Sequence, residues 1–251
     1  MQKSKMVLTA LMLAVTVMLA VGRTKPDEPG NGGNGGNNGG NGGSGTYIGH
    51  EYVDLGLPSG TLWATCNVGA SAPEGYGDYF AWGEITPKDT YNWSTYKYCN
   101  YCNGDYDKLT KYCSNSWYGD NGFIDNLTVL LPEDDAATAN WGNGWCMPTA
   151  DQWRELLVNT TNEWTTRNGV IGRLFTSKKN GQTLFLPAAG RRWDDELYNA
   201  GSDGHYWSSS LAGGPFRAWY FHLSWGDCYV YRDYSRRYGF TVRPVRSARQ
   251  N

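Results

Sequence analysis

Histidine is scarce in this sequence, and the motifs of common enzyme chemistry are missing from it. The 251 residues include three histidines, His50, His205 and His222, which are scattered along the chain. There is no His-Glu-x-x-His, no Gly-x-Ser-x-Gly and no phosphate-binding Gly-x-x-x-x-Gly-Lys string. The sequence therefore predicts a protein that is not an enzyme, with no catalytic residues and no cofactor.

Charged residues are also sparse. The chain has 22 Lys and Arg against 24 Asp and Glu, a net charge of -2. This charge is too small to indicate a nucleic-acid partner or an anionic membrane. The 33 Gly, 12 Trp and 18 Tyr indicate instead short strands and long ordered loops around an aromatic core.

The N-terminus has the pattern of a signal peptide over residues 1–22. Two lysines precede an apolar run from Met6 to Val21, which is too short for a membrane span and has no basic stop after it. Leu19-Ala20-Val21-Gly22 resembles the lipobox of bacterial lipoproteins, but Arg23 stands where the lipid-bearing Cys would follow. We expect export to the cell surface (outer membrane) or secretion, with tethering to a membrane only if the chain is lipidated or left uncleaved.

Residues 23–45 are predicted to form a flexible tether. From Gly30 to Gly45 the chain is almost pure Gly and Asn, which cannot bury enough apolar area to offset the entropy of ordering. As a random coil these residues reach roughly 20–24 Å. Residues 46–248 contain no second linker and are predicted to form one domain.

Two helices are predicted in this domain. Thr149 can cap the first, with Gln152 in the capping-box position and Trp153, Leu156 and Leu157 along one face. The second is an Ala-rich segment from Asp134 to Asn140.

A stretch near the C-terminus alternates like a half-buried strand. Trp219, Phe221 and Leu223 share one parity, whereas Tyr220, His222 and Ser224 share the other. The first set is predicted to point into the scaffold of the domain, and the second set is predicted to form a displayed face. Its mixture of Tyr with short polar residues is typical of binding surfaces. Aromatic strands of this kind also occur where no partner binds, because aromatic residues fit a pleated, half-buried surface.

The segment 213–240 is unusual in what it omits. It contains no Lys, Glu, Gln, Met or Asn, although Asn is common elsewhere in the chain. An Asn codon mutated at both adenines yields Tyr, His, Ser, Asp, Arg and several other residues, but never Lys, Glu, Gln, Met or Trp. The predicted displayed positions all obey this restriction.

Several sequence blocks resemble the Fibrobacter succinogenes major paralogous domain family, in order and over nearly the whole domain. The blocks are Glu51–Thr65, Asn67–Ala70, Tyr79–Glu84, Asp135–Gly142, Met147–Thr149, Leu186–Gly190, Tyr206–Ser210 and Val242–Arg246. The resemblance implies an α+β, C-type-lectin-like fold that is β-rich, with two short helices and long ordered loops. Part of the family is similar to the variable proteins of diversity-generating retroelements, which copy an adenine-mutagenised template into the end of such a gene.

The resemblance implies a ligand-binding, variable face within 213–240. It comprises Phe216, Arg217, Tyr220, His222, Ser224, Asp227, Tyr229, Tyr231, Asp233, Tyr234, Ser235 and Arg236. The implied function is a surface-displayed or secreted protein that recognises a variable protein or glycan on another cell, phage or host. Two alternatives remain: a cell-envelope or adhesin module of the same family that is not diversified, and a catalyst similar to formylglycine-generating enzymes. The last needs a reactive cysteine pair near the C-terminus, where Cys228 stands alone.

No metal site is expected. The calcium-binding strings of sugar-binding lectins, Glu-Pro-Asn, Gln-Pro-Asp and Trp-Asn-Asp, do not occur. The acidic runs 133–135 and 194–196 are interpreted as solvated turns.

The six cysteines allow several pairings in an exported chain. Among Cys99, Cys102 and Cys113 we expect a local disulfide and leave a free thiol open, because a zinc half-site there lacks a nearby His. Cys66 and Cys146 are expected to be buried scaffold residues.

Overall fold

The computed structural model of this chain describes residues 43–102, 104, 106 and 108–248. The predicted signal peptide, residues 1–22, and residues 23–42 of the predicted tether lie outside the described part. The first strand begins at Ser44, where Ser44 and Gly45 pair with Val53 and Tyr52. Strand pairing therefore extends two residues into the segment predicted as a tether, because backbone hydrogen bonds to the next strand order the end of the Gly-rich stretch.

The described residues form a β-rich structure of the α+β class, with four small sheets and two α-helices. Its strands are β1 (Ser44–Tyr47), β2 (His50–Asp54), β3 (Thr61–Ala64), β4 (Thr160–Arg167), β5 (Val170–Ser177), β6 (Thr183–Pro187), β7 (Arg191–Trp193), β8 (Glu196–Tyr198), β9 (Asp203–Leu211), β10 (Arg217–Ser224), β11 (Cys228–Ser235) and β12 (Val245–Ser247). The sheet orders are β1-β2-β3-β12, β11-β10-β9, β4-β5-β6 and β7-β8, with antiparallel neighbours throughout.

The helices are α1 (Ala136–Trp141) and α2 (Ala150–Asn159), and both were predicted. The Thr149 side chain accepts from the Gln152 backbone N–H at 3.2 Å, and Gln152 Oε1 accepts from the Thr149 N–H at 2.9 Å. This reciprocal capping box is the one that the sequence predicts. Helix α1 begins two residues later than predicted, because Asp135 serves as its N-cap.

The β9-β10-β11 sheet lies between two hydrophobic clusters. On one side Phe221 and Leu223 pack with Trp153 and Leu156 of α2, a cluster that we call the helix-side core. The Trp153 and Phe221 rings are stacked with their centres 4.5 Å apart. On the other side the loop-side core contains Trp82, Tyr112, Trp207, Ala218, Tyr220 and Phe240. The side of the sheet that contains β9 is buried on both faces and is therefore held firmly, whereas β11 is the outer strand on the other side.

The acidic run 133–135 is not a solvated turn, contrary to expectation. Asp134 and Asp135 are both buried. Asp134 accepts hydrogen bonds from the hydroxyls of Tyr98 and Tyr112 and pairs with Lys111. Asp135 accepts from backbone N–H groups at the start of α1, and burial raises its pKa to about 6. Asp134 finds its donors on distant segments, which sequence proximity does not reveal, whereas Asp135 is held by N–H groups two and three residues along the chain.

The predicted local disulfide forms between Cys99 and Cys102. Cys113 is a free, buried thiol, and Cys228 is buried against Arg173. The expectation of burial is wrong for Cys146, which is exposed, and Cys66 is half-buried. Cys146 pairs through its backbone with Val245, so its block belongs to the scaffold although its side chain faces outward.

Candidate binding surface

The hairpin of β10 and β11 divides its side chains between two faces, as the sequence predicts. Tyr220 is paired with Tyr231, and His222 with Tyr229, so these four side chains share one face. Phe221 points the other way, into the helix-side core. The predicted alternation is therefore confirmed along this part of β10.

A β-bulge changes the register farther along the hairpin. Tyr220 is paired with Tyr231, but Ala218 is paired with Tyr234, so β11 has one extra residue over this interval. As a result Tyr231 and Tyr234, three positions apart, both contact the Tyr220 ring, at centroid distances of 5.7 and 5.1 Å. The bulge explains why the polar and aromatic positions of β11 do not keep a strict period of two.

Six aromatic side chains form a continuous row that we call the aromatic ribbon. Its members are, in spatial order, Tyr229, Tyr231, Tyr220, Tyr234, Tyr238 and Trp193. Successive ring centres lie 5.3, 5.7, 5.1, 4.8 and 6.2 Å apart. Trp193 belongs to the β7-β8 hairpin, so the ribbon joins two hairpins that are separate in the sequence. Contacts of this kind stabilise the positions of neighbouring rings.

Exposure rises toward the tip of the β10-β11 hairpin. Tyr220 is 8% exposed and belongs to the loop-side core, whereas Tyr229 and Tyr231 are each 43% exposed. Trp225, in the turn between the strands, is 80% exposed. Tyr220 therefore supports the surface from beneath, and the ribbon is exposed at both ends, at Tyr229 and Tyr231 near the hairpin turn and at Trp193, which is 39% exposed.

Arg236 lies inside the domain, although the sequence places it among the displayed positions. Its side chain is completely buried, with the guanidinium 5.4 Å from the ring centre of Trp82 and 5.3 Å from that of Tyr96. It donates to the carbonyl oxygens of Tyr112 and Lys111, at 3.0 and 3.3 Å. Burial lowers the pKa of the guanidinium. We therefore exclude Arg236 from the contact surface, because loops far away in the sequence enclose it.

Phe216 and Arg217 lie at the other end of β10. The Phe216 ring stacks on Tyr106 with centres 4.2 Å apart and also contacts Tyr118 at 5.1 Å. The Arg217 guanidinium lies 5.1 Å from the Phe216 ring centre. The loop that carries Tyr106 and Tyr118 thus forms a wall beside this end of the hairpin, with Trp117 of the same loop 85% exposed.

The remaining predicted positions lie along the hairpin. Ser224 and Asp227 close its turn, where the Ser224 N–H donates to the Asp227 carbonyl at 2.9 Å. Asp227 is exposed. Ser235 is half-buried opposite Arg217, and the side chain of Asp233 lies outside the described part of the structure.

Sequence reasoning missed two members of the ribbon, Tyr238 and Trp193, and also the exposed Trp225 in the hairpin turn. Trp225 was outside the predicted set because adenine mutagenesis of an Asn codon cannot produce Trp, yet its position in a tight turn between two strands is a signal of exposure. Tyr238 lies within the segment 213–240, but the residues around it do not alternate as in a strand, so the sequence did not place it on a face. Trp193 gave no local signal, since its place in the ribbon depends on how the β7-β8 hairpin packs.

Two of the scattered histidines meet beneath the ribbon. His205 and His222 are paired across β9 and β10, with ring centres 4.9 Å apart. Burial lowers the pKa of both, and for His205 the positive charges of His222 and Arg191 lower it further. The Oδ1 atom of Asp203 lies 3.8 Å from Nε2 of His222, and its negative charge raises the pKa of His222, against the effect of burial. The pair is therefore mainly neutral at pH 7 and serves as packing for the ring of Tyr220.

Comparisons of this chain with protein-family models, with curated proteins and with solved structures found no match. Among the described residues, no helix has the length and apolar character needed to cross a membrane. In the same part of the chain, no group of three or more His, Cys, Asp or Glu side chains is arranged to hold a metal ion.

Proposed function

We propose that this chain is a surface-displayed or secreted ligand-binding protein with a C-type-lectin-like fold. Its C-terminal face, in this proposal, is diversified by a retroelement to recognise variable protein or glycan targets. Recognition is static: the aromatic side chains supply contact area, and the polar side chains set specificity. The proposal describes a binding protein and assigns no catalytic step to it.

One observation carries the proposal. The hairpin end of the aromatic ribbon, where Tyr229 and Tyr231 are exposed and in contact with each other, stands on a sheet that is buried on both faces at its β9 side. Tyr and Trp bind at low entropic cost, because they have few rotatable bonds and large contact areas. Exposed aromatic side chains that stand on a rigid sheet are the arrangement that a recognition surface needs.

The burial of individual side chains restricts which positions of the segment diversification can change without disturbing the core. Tyr229 and Tyr231 are exposed and can change without disturbing the core, whereas Arg236 is enclosed and hydrogen-bonded. The proposal therefore expects variation at exposed positions of the segment 213–240 and constancy at Arg236, even where the genetic mechanism reaches its codon.

The test is deep sequencing of the codons for residues 213–246 across a growing population, together with a search of the neighbouring DNA for a near-copy of the segment and a reverse transcriptase gene. Differences confined to template adenines and enriched at exposed positions support the proposal. An invariant segment without a second copy overturns the diversification. The same face is then a fixed adhesive surface of a cell-envelope module, or simply the outside of a sheet.

A further inference from the structure

Two arginines flank the aromatic ribbon. The guanidinium of Arg191, in β7, lies 5.7 Å from the ring centre of Tyr234. The guanidinium of Arg237, just after β11, lies 5.1 Å from the ring centre of Tyr238. Because the rings of Tyr234 and Tyr238 are in contact at 4.8 Å, both cations border the same stretch of the ribbon.

Neither guanidinium has a counter-ion within the described residues. No carboxylate there forms an ion pair with Arg191 or Arg237, and the Nε of each is buried without a hydrogen-bond partner. Both side chains are half-buried, so water solvates them incompletely. Among the described residues these half-buried cations have no carboxylate partner, and a carboxylate arriving with a ligand can supply one.

Two acidic side chains on the neighbouring strand β9 and the β7-β8 hairpin have other partners. Asp203 accepts a hydrogen bond from Asn199 at 2.8 Å and lies 3.8 Å from His222. Asp194, in the turn of the β7-β8 hairpin, accepts from Asn92 at 3.0 Å. Of these two described carboxylates, neither forms an ion pair with Arg191 or Arg237, so both arginines can meet an external anion.

We infer that the ribbon binds protein partners that present an acidic side chain, Asp or Glu, between Arg191 and Arg237. The inference rests on the proposed function, because it names the partner chemistry of the same face. Arg191 stands outside the segment 213–240. It therefore gives the face a constant preference for acidic epitopes while residues of that segment change.

The ring geometry favours a protein over an acidic glycan. Stacking of a sugar needs an open ring face, but Tyr234 meets Tyr220 at 74° and Tyr238 at 79°, so the neighbouring rings cover one another in edge-to-face contacts. The arginines lie against the same two tyrosines. Both tyrosines are half-buried, so little of their ring faces is open for a sugar to stack on.

The experiment is a binding titration of the exported domain with poly-L-glutamate at low and physiological salt, with polygalacturonate as the glycan arm. The variants are Arg191→Gln, Arg237→Gln and their combination, with Arg191→Lys to retain charge. Arg154→Gln is the matched control, since Arg154 lies on α2 against Trp219, on the opposite side of the sheet. Near-ultraviolet circular dichroism checks that each variant is folded.

We expect poly-L-glutamate to bind with an affinity that falls about tenfold in each single Gln variant and more in the double variant. Arg191→Lys should retain part of the affinity, and Arg154→Gln should retain all of it. No binding of poly-L-glutamate, or binding that the double variant leaves unchanged, overturns the inference. Stronger binding of polygalacturonate that depends on the same arginines also overturns it, in favour of an acidic glycan.

A displayed library randomised at Tyr229 and Tyr231 separates this inference from the proposed function. If selected protein binders keep their affinity in the Arg191→Gln, Arg237→Gln background, the inference fails and the binding function stands. If no target binds any member of the library, both fail. Binders that favour acidic targets and lose affinity in that background support both.

Discussion

Replacing Arg236 by Ala should destabilise the domain strongly. If Arg236 were exposed on a displayed strand, as the sequence pattern places it, the domain would tolerate the change. The side chain is fully buried and donates to the carbonyls of Tyr112 and Lys111. Leaving each buried carbonyl without its donor costs about 1–3 kcal/mol. The cavity beside Trp82 and Tyr96 adds a cost, on the order of 2 kcal/mol, and the desolvation of a charge that is no longer buried offsets part of the total. We expect a net loss of about 3–4 kcal/mol in the free energy of unfolding.

Urea unfolding followed by tryptophan fluorescence measures this loss. The matched control is Arg237→Ala at the next position, where the side chain is half-buried and its Nε has no hydrogen-bond partner among the described residues. We expect the control to cost less than about 1 kcal/mol. Equal costs at the two positions would refute the reasoning, because they would place Arg236 on the surface as the sequence pattern does.

Three further predictions follow from the site. Tyr229→Ala and Tyr231→Ala should leave the unfolding midpoint nearly unchanged and weaken binding of a selected protein target more than tenfold, since both rings are exposed; isothermal titration checks this. Replacing Cys99 and Cys102 by Ser should cost about 2 kcal/mol or less, because the disulfide closes a loop with a sequence separation of 3, and a reductant should then no longer affect thermal unfolding. Burial holds the pKa of His205 well below its usual value, so the unfolded state takes up a proton that the folded state rejects as pH falls below about 6.5. The contribution of His205 to stability should therefore fall between pH 7 and 5, against the opposite contribution of Asp135, whose pKa burial raises to about 6. His205→Gln should lose less stability than the wild type over this range, and equal pH slopes in the two proteins would contradict this.

Local patterns predicted the elements whose formation depends on neighbouring residues. The capping box of Thr149 and Gln152 and the alternation along β10 both appear in the structure. The disulfide between Cys99 and Cys102 is also local, with two residues between the cysteines. Such features are readable because their chemistry acts over a few positions of the chain.

Features that depend on distant segments were not readable. Asp134 looks like part of a solvated turn in the sequence, but Tyr98, Tyr112 and Lys111 bring donors to it from distant positions. Trp193 joins the ribbon only because the β7-β8 hairpin packs beside Tyr238. No single-sequence pattern carries these long-range contacts.

The candidate surface depends both on local residue patterns and on contacts between distant segments. Alternating residue types along β10 put Tyr220 and His222 on one face, because successive side chains of a strand point in opposite directions. Which part of that face meets solvent was settled by packing: the loop-side core covers Tyr220, and the loops of Trp82 and Tyr112 enclose Arg236. Residue order sets the direction of a side chain, whereas its exposure depends on every segment that folds against it.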